Sequence, residues 1–597
     1  MLAVLRLVFN ATALLALLAL AVALGIATFH GQEPPWEHLV LGRALAEAGS
    51  IPKSDGFLFT ARAGAAFDAR SWAWDWAAWQ AHHLYGAGAL AAADALAWIL
   101  ATWALAAAAF RRGARPFSTA VFTAWALLAA RADLAPGPGL FGFAAFCAAL
   151  WIMEGDFWPA FFGRWIWLGP LAVVAVNAGP SAWALAPLAG LWLFFDGGEG
   201  APSQPALAKG AFFVLLLVCL CLHPQGVAAL LRAPSALAPS PLLPGAFSPR
   251  QGGLLLLAVL ALLLVASSWT AAGRLRLGRD WGLALGFGLA ALLSSDALPF
   301  FLALAAPLAA ARFDVLVDAL PGALRILRWP AKVLALVALL AWTGLGPLRG
   351  AAPAKALERP EQTAAFYEDE LLNENILCPA AWTPSLAWRL SPNARFALDS
   401  RGAADPARAA ALEAVLGAGG DVAAVLARED VGLCWLPRGS PLAVALASSR
   451  AWQPVSFDDA SVVYVAGTPA HAELIHSRAP RGLRPGDPDQ PFDATRLAQA
   501  EADLEADLAH DPGMGVVYLY LSQVWLARGH DAKSRETLEA GIRADPGFAP
   551  NYARLGALRA ALGDEADKEA ARTLYRDALK LRDDPLWRRA LAGLGPA

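Results

Sequence analysis

Residues 88–110 read GALAAADALAWILATWALAAAAF, with one acidic and no basic side chain over the whole stretch. A helix needs about 20 predominantly apolar residues to cross the hydrocarbon core of a bilayer. This stretch is long enough, and Arg111 and Arg112 follow it directly. It predicts a membrane-spanning helix that ends in a basic loop.

Similar apolar stretches recur through residues 1–350 and predict a polytopic α-helical membrane domain with about eleven spans. They are residues 7–29, 88–110, 117–131, 139–154, 158–178, 181–196, 207–224, 252–271, 281–295, 297–312 and 331–348. The chain is 57% apolar and only 16% charged, so we expect the lipid bilayer as its surroundings. Its net charge of −3 argues against a nucleic-acid partner, because no basic stripe is present to neutralise a phosphate backbone.

Basic loops predict the orientation of these spans, since Lys and Arg favour the cytoplasmic side. Three basic clusters follow the second span, follow the eighth span and join the tenth to the eleventh. Their members are Arg111, Arg112 and Arg115; Arg274, Arg276 and Arg279; and Arg312, Arg325, Arg328 and Lys332. With eleven spans and Met1 inside, all three clusters are cytoplasmic. We therefore expect a multi-pass protein of the bacterial inner membrane, with the loop 30–87 and the C-terminal domains on the periplasmic side.

Residues 351–470 predict a small extracytoplasmic α/β domain, because short apolar runs alternate with helical stretches. The expected strands are Ile376–Ala380, Arg395–Asp399, Val431–Leu436 and Ser461–Ala466, in a mainly parallel sheet. Helices are expected over 355–373, 405–416, 420–428 and 440–449. Cys378 and Cys434 fall in two of the strands, where a disulfide and two buried thiols are both open readings.

Residues 493–597 predict helical repeats. Asp511-Pro512 returns as Asp545-Pro546 after 34 residues, and paired amphipathic helices lie between. This period resembles that of tetratricopeptide repeats. Two repeats after a leading helix form a short helical array, which either has a purely structural role or offers a groove to a protein partner.

The loop 30–87 is far longer than a connection between two membrane helices requires. It gathers acids, histidines and tryptophans, among them His30, Glu33, Trp36, Glu37, His38, Asp55, Asp68, Arg70, Trp72, Trp74, Asp75, Trp76, Trp79, His82 and His83. Carboxylates and imidazoles can act as general bases or hold a divalent cation, and tryptophans offer flat faces to sugar rings. Tryptophan is also common at bilayer interfaces for purely structural reasons.

Ordered motifs from this loop onward resemble a group of bacterial membrane proteins with the C-type glycosyltransferase (GT-C) architecture. They are Glu33-Pro-Pro-Trp36-Glu37-His38-Leu39, Gly49-Ser-Ile51-Pro52-Lys-Ser-Asp55-Gly-Phe57, Trp72-Ala-Trp74-Asp75-Trp76, Val176-Asn177-Ala178-Gly179, His223-Pro224-Gln225-Gly226, Trp388-Arg389-Leu390, Phe396-Ala-Leu-Asp399-Ser-Arg401 and Trp452 with Val462-Val463-Tyr464. The resemblance covers about residues 5–467, with the repeats as an appended tail. Glu33 stands where the group has Asp, and Asp296 stands where it commonly has Arg.

The resemblance implies an enzyme that transfers a sugar from a polyprenyl-phosphate carrier to an acceptor in the cell envelope. It implies that Glu33, Asp55 and Asp75 are the catalytic residues, with Glu33 as base or metal ligand. It further implies substrate-binding side chains at Trp36, Glu37, His38, Arg70, Trp72, Trp76, Asn177 and His223. A divalent cation, Mg²⁺ or Mn²⁺, is compatible with these carboxylates, with no ligand assigned beyond this possible role of Glu33.

Two other functions fit the same sequence. One is a catalytically inactive membrane scaffold, whose outer domain and repeats bind envelope-assembly partners. The other is a transporter, which would use charges inside the membrane. Asp94, Arg164 and Asp296 lie singly in or beside the predicted spans, however, and give the transporter reading little support.

Overall fold

The computed structural model describes most of the chain and divides it into two compact units. The described residues are 2–30, 35–54, 56–61, 67, 69–131, 134, 137–154, 164–194, 206–227, 279–319, 360–370, 372–399, 405–487, 490, 494–562 and 564–595. The first unit comprises Met1–Pro52 and Asp68–Ala354, and the second comprises Lys53–Phe67 and Lys355–Ala597. The middle of the long loop therefore belongs to the second unit.

The first unit is helical throughout its described part. Its helices are α1 (Leu2–His30), α2 (Trp36–Ala48), α3 (Trp72–Tyr85), α4 (Ala87–Arg111), α5 (Pro116–Ala130), α6 (Pro138–Met153), α7 (Leu168–Ala178), α8 (Leu185–Phe194), α9 (Ala206–Leu220), α10 (Arg279–Leu293) and α11 (Leu298–Ala319). Short 3₁₀ turns cover Arg164–Trp167, Pro180–Ala184 and Ser295–Ala297.

Nine of the eleven predicted spans overlap helices of this unit in their described parts. The predicted spans 252–271 and 331–348 lie outside the described residues, as do residues 158–163 and 195–196 of two others. Two described helices, α4 and α11, are long and apolar enough to cross a membrane by length and composition. The other apolar stretches that could be tested, among them Asn10–Gly25 within α1, are shorter, so the number of crossings stays a prediction.

Small side chains let these helices approach closely. Helix α4 buries a stripe of alanines that includes Ala97, Ala101 and Ala104. A Cβ atom added to Gly25 of α1 would lie 2.5 Å from the Cα of Ala95 in α4, so the two backbones touch there. Helix contacts of this kind rely on van der Waals packing, which works in lipid as well as in water.

A partly buried ionic cluster joins four helices of the first unit. Arg112, just after α4, pairs with Glu154 after α6 and donates to Asp280 at the start of α10, with 2.9 Å between Nη1 and Oδ1. Arg312 of α11 donates to the other oxygen of Asp280 at 2.6 Å. Arg112 and Arg312, which belong to two different basic clusters of the sequence, therefore share one carboxylate.

The second unit contains a five-stranded mixed sheet in the order β2-β1-β3-β5-β4. The strands are β1 (Asn375–Leu377), β2 (Arg395–Phe396), β3 (Leu433–Pro437), β4 (Trp452–Phe457) and β5 (Ser461–Ala466). The helices around it are α12 (Glu361–Asp369), α13 (Thr383–Leu390), α14 (Pro406–Leu416), α15 (Val422–Arg428), α16 (Pro441–Ala447) and α17 (Ala472–Arg478), with a 3₁₀ turn at Pro469–His471.

The expectation of a mainly parallel sheet is wrong for half of the strand pairings. Strand β1 is parallel to β2 and β3, but β5 is antiparallel to both β3 and β4. Strand β4 was not among the expected strands. Three residues separate it from β5, and so short a connection permits only an antiparallel hairpin.

Residues 57–60 of the long loop lie along the β2 edge of this sheet. Leu58 pairs in parallel with Phe396, whose N–H donates to the carbonyl of Phe57 at 2.8 Å. The N–H of Phe59 donates back to the carbonyl of Phe396 at 3.2 Å, and the hydroxyl of Thr60 donates to the carbonyl of Ala397 at 2.5 Å. These bonds cover backbone groups that would otherwise be open at the sheet edge.

Cys378 and Cys434 are free and fully buried, so the two-thiol reading is the correct one for this structure. Burial raises the pKa of the Cys378 thiol to about 12 and raises that of Cys434 further. A thiol is nucleophilic and readily oxidised only as the thiolate. These two cysteines are therefore packing residues.

The C-terminal part of the second unit is a stack of helix pairs. Its helices are α18 (Ala494–His510), α19 (Gly515–Ala527), α20 (Asp531–Ala544), α21 (Ala549–Leu562), α22 (Glu565–Leu581) and α23 (Pro585–Gly593). The two repeats make equivalent hydrogen bonds, 34 residues apart in the sequence. The hydroxyl of Tyr518 donates to the carbonyl of Pro512 at 3.0 Å, and that of Tyr552 donates to Pro546 at 3.1 Å.

Residues 481–486, which we call the docking segment, cover the first helix pair. The N–H groups of Arg481 and Gly482 donate to the Asp503 carboxylate of α18 at 3.0 and 3.1 Å. Leu483 is only 4% exposed and packs within the core of α18 and α19. The hydroxyl of Tyr520 donates to the carbonyl of Pro485 at 2.6 Å. The chain itself therefore occupies this face of the repeats.

The turn between β4 and β5 also forms hydrogen bonds to the repeats. The carboxylate of Asp459 accepts the N–H of Val516 at 2.6 Å and that of Gly515 at 3.3 Å, which satisfies free donors at the start of α19. Burial raises the pKa of Asp459 to about 6, against the lowering effect of the Val516 N–H and of Arg438. The nearby Asp545 adds to the rise.

We predict that Asp459→Asn removes a pH dependence of stability from the second unit. Because the folded chain holds the Asp459 proton more tightly than the unfolded chain, its contribution is fully present below pH ~4 and is lost as the pH rises through about 6. The difference between the thermal unfolding temperatures at pH 4.5 and pH 7 should be smaller in this variant than in the parent. Asp531→Asn, at an exposed helix start, is the control and should behave like the parent.

Candidate active site

Helices α2 and α3, the two described helices of the long loop, pack tightly against each other. Gly42 of α2 faces the backbone of α3, and a Cβ atom there would overlap the carbonyl oxygen of Asp75. It would also lie 2.7 Å from the Cβ of Trp79. Only a residue without a side chain fits this contact, which brings the middle of α2 against the first two turns of α3.

The carboxylate of Asp75 lies at this contact and has no exposed surface. Its Oδ1 atom is 2.6 Å from Nδ1 of His38 in α2. The hydroxyl of Ser71, one turn before Asp75, donates to both carboxylate oxygens at 3.0 and 3.1 Å. A carboxylate can only accept in such a bond, so Nδ1 of His38 carries the shared proton.

Two further motifs reach the same segment from distant parts of the chain. The indole N–H of Trp72 donates to Oδ1 of Asn177 at 2.6 Å. The amide of Asn177 in turn donates to the carbonyls of Val173 and Leu222, at 2.8 and 2.9 Å. Asn177 is thereby fixed between the end of α7 and the residues that follow α9.

His223 fixes the residue just before Arg70. The backbone N–H of Gln225 donates to Nδ1 of His223 at 3.1 Å, so Nε2 carries the ring proton. Nε2 then donates to the carbonyl of Ala69 at 3.0 Å. Residues 69–75, which we call the hub segment, therefore receive contacts from α2, from α7 and from the residues after α9.

The structure brings together six of the eleven predicted site residues. Arg70, Trp72 and Asp75 belong to the hub segment, and His38, Asn177 and His223 bond to it as described above. Of the others, Trp36 and Glu37 are half-buried, and Trp76 is 46% exposed. Glu33 and Asp55, the two remaining predicted catalytic residues, lie outside the described residues.

The structure also identifies residues that the sequence analysis did not select. Ser71 supports both oxygens of Asp75, and its position one turn upstream was the only sequence signal for this role. Trp74 is buried against Phe141 of α6, with ring centroids 4.3 Å apart, and lies beside Gly137. Gly42 carries no side-chain chemistry, so composition alone could not mark it.

A divalent cation would need several oxygen or nitrogen ligands directed at one point. Among the residues that the structure describes, no three His, Cys, Asp or Glu side chains converge in this way. The oxygens of Asp75 already accept from Ser71 and His38. The described residues of the site therefore offer no set of ligands for the divalent cation that the GT-C resemblance would allow.

Comparison with known proteins identifies the repeats. Residues 492–562 match the tetratricopeptide repeat family. The match confirms the repeat assignment made from the 34-residue period. Repeats of this kind suggest protein–protein interaction. No curated protein matches the chain.

The fold resembles solved structures of arabinofuranosyltransferase AftD from Mycobacteria, obtained by cryo-electron microscopy. A mutant form has a TM-score of 0.50 at 16% identity, with 77% of this chain and 41% of AftD covered. A second AftD structure has a TM-score of 0.49 at 15% identity, with 78% and 40% covered. The chain thus spans about two fifths of the length of AftD. At this low identity, the similarity between the two proteins concerns the fold alone.

We predict that Gly42→Ala destabilises the first unit, because the added methyl overlaps backbone atoms of α3 that cannot rotate away. The change should lower the thermal unfolding temperature in detergent, at a cost of about 1–3 kcal/mol. Gly139→Ala is the matched control, since that helical glycine has open space around it. Equal unfolding temperatures for the two variants would contradict the close α2–α3 contact.

Proposed function

We propose that this protein is a membrane glycosyltransferase that moves a sugar from a polyprenyl-phosphate carrier to an envelope acceptor. In this proposal the first unit is a multi-pass domain of the bacterial inner membrane. The loop 30–87 and the C-terminal domains lie on the periplasmic side. The fold shared with AftD supports the general kind of enzyme, and the order of the GT-C-like motifs supports the carrier.

One observation carries the proposal. Three motifs separated by up to 185 residues, at His38, Asn177 and His223, all hydrogen-bond to the hub segment. Buried polar side chains are costly unless they are satisfied, and here each is oriented by a partner. Polar groups fixed in this way, beside tryptophans, are what an enzyme needs to position a sugar and a phosphate.

Glu33 keeps a proposed catalytic role at the carrier phosphate, and Asp55 a supporting one. Asp75 takes a different part. Its carboxylate is fully buried, so it cannot contact a substrate directly. We assign to it the positioning of His38. Trp36, Glu37, Arg70 and Trp76 remain proposed contacts for the sugar or the carrier phosphate.

The second candidate function is a catalytically inactive scaffold, which the tetratricopeptide match favours. The docking segment bears on it directly, because it already covers one face of the first helix pair. A protein partner would have to bind the remaining surface of α20–α23 or displace the docking segment. A scaffold needs no catalytic carboxylate in the long loop.

Glu33→Gln separates the two functions. With the purified full-length protein in nanodiscs and a set of polyprenyl-phosphate sugars, we expect Glu33→Gln to abolish transfer while expression and insertion stay normal. Glu47→Gln, an exposed acid at the end of α2, is the matched control and should retain transfer. Absence of transfer by the parent with every donor, or full activity of Glu33→Gln, would favour the scaffold.

A further inference from the structure

We propose that His38 is the group that takes the proton from the acceptor hydroxyl, and that Asp75 is its positioning residue. This inference rests on the proposed function. It differs from the sequence analysis, in which Asp75 was catalytic and His38 only bound substrate. The inference rests on one juxtaposition, in which a fully buried carboxylate lies against a partly exposed imidazole.

The exposure of the two side chains divides their roles. The Asp75 side chain is 0% exposed and the His38 side chain is 25% exposed. Only the imidazole can therefore reach a molecule that binds at the surface of the loop. The buried carboxylate, which also accepts from Ser71, can influence such a molecule through the imidazole.

The hydrogen bond also fixes which ring nitrogen is basic. Nδ1–H of His38 points at Asp75, so the lone pair of the neutral ring is on Nε2. A carboxylate behind Nδ1 stabilises the imidazolium that forms when Nε2 gains a proton. A buried acid that orients a surface histidine in this way is a means of preparing a general base.

The proposed step balances without a further reactant. The acceptor oxygen forms a bond to the anomeric carbon, while the bond from that carbon to the carrier phosphate oxygen breaks. The phosphate leaves with the bonding electron pair. The proton of the acceptor hydroxyl passes to Nε2 of His38 and is later released to solvent.

Kinetics of four variants test the assignment. His38→Ala should lower kcat by about 10²–10⁴-fold, and added imidazole should restore part of the rate. Asp75→Asn and Ser71→Ala should lower kcat with KM little changed, because they act on the transition state through His38. His83→Asn, a second loop histidine that stacks on Trp79, is the control and should keep the parent rate.

A chemical readout makes the test independent of the donor. Diethyl pyrocarbonate acylates neutral imidazole, and mass spectrometry gives the rate for each histidine. At a pH high enough for the ring to be neutral in both proteins, we expect His38 to react several-fold more slowly in Asp75→Asn than in the parent, because Nε2 is less nucleophilic without a carboxylate behind Nδ1. The reactivity of His83 should be unchanged. Failure of transfer together with this difference would defeat the proposed function and leave the pair intact. Unchanged His38 reactivity, or a His38→Ala enzyme that keeps its kcat, would overturn the inference.

Discussion

The buried carboxylate of Asp75 is the constraint on which the arrangement of the long loop depends. A charge with no exposed surface is stable only when hydrogen-bond donors surround it. Ser71 supplies one donor from within the same turn, and His38 supplies another from α2. Because Gly42 allows α2 to touch α3, the His38 ring can reach the carboxylate. The contact that satisfies the charge also places an imidazole at the surface.

The hub segment extends this constraint to other helices of the first unit. Trp72 and Ala69 are held by Asn177 and His223, which follow or end helices far along the chain. The loop is therefore fastened at several points to the helical bundle. Residues 57–60 of the same loop instead complete the edge of the sheet in the second unit. One loop thus supplies both a site in the first unit and an edge strand in the second.

The sequence predicted the apolar helices of the first unit, since apolar length marks them, but it did not predict α2 and α3 within the long loop. It also predicted the repeats, because a 34-residue period survives in Asp511-Pro512 and Asp545-Pro546. It missed strand β4 and the pairing of residues 57–60 with β2. These pairings are made by backbone atoms, which leave little trace in side-chain pattern. For the site, His38, Asn177 and His223 could be selected from ordered motifs. The division of roles between Asp75 and His38 required knowledge of burial, which residue type does not give.

The central claim is that His38 and Asp75 act as one coupled pair that holds α2 to α3. A double-mutant cycle measures this directly, with His38→Ala, Asp75→Ala and the double variant compared by unfolding free energy in detergent. We predict that the double variant is less destabilised than the sum of the single variants by about 1–3 kcal/mol, since each single change leaves the other group without its partner. Effects that add to within about 0.5 kcal/mol would contradict the coupling and the account built on it.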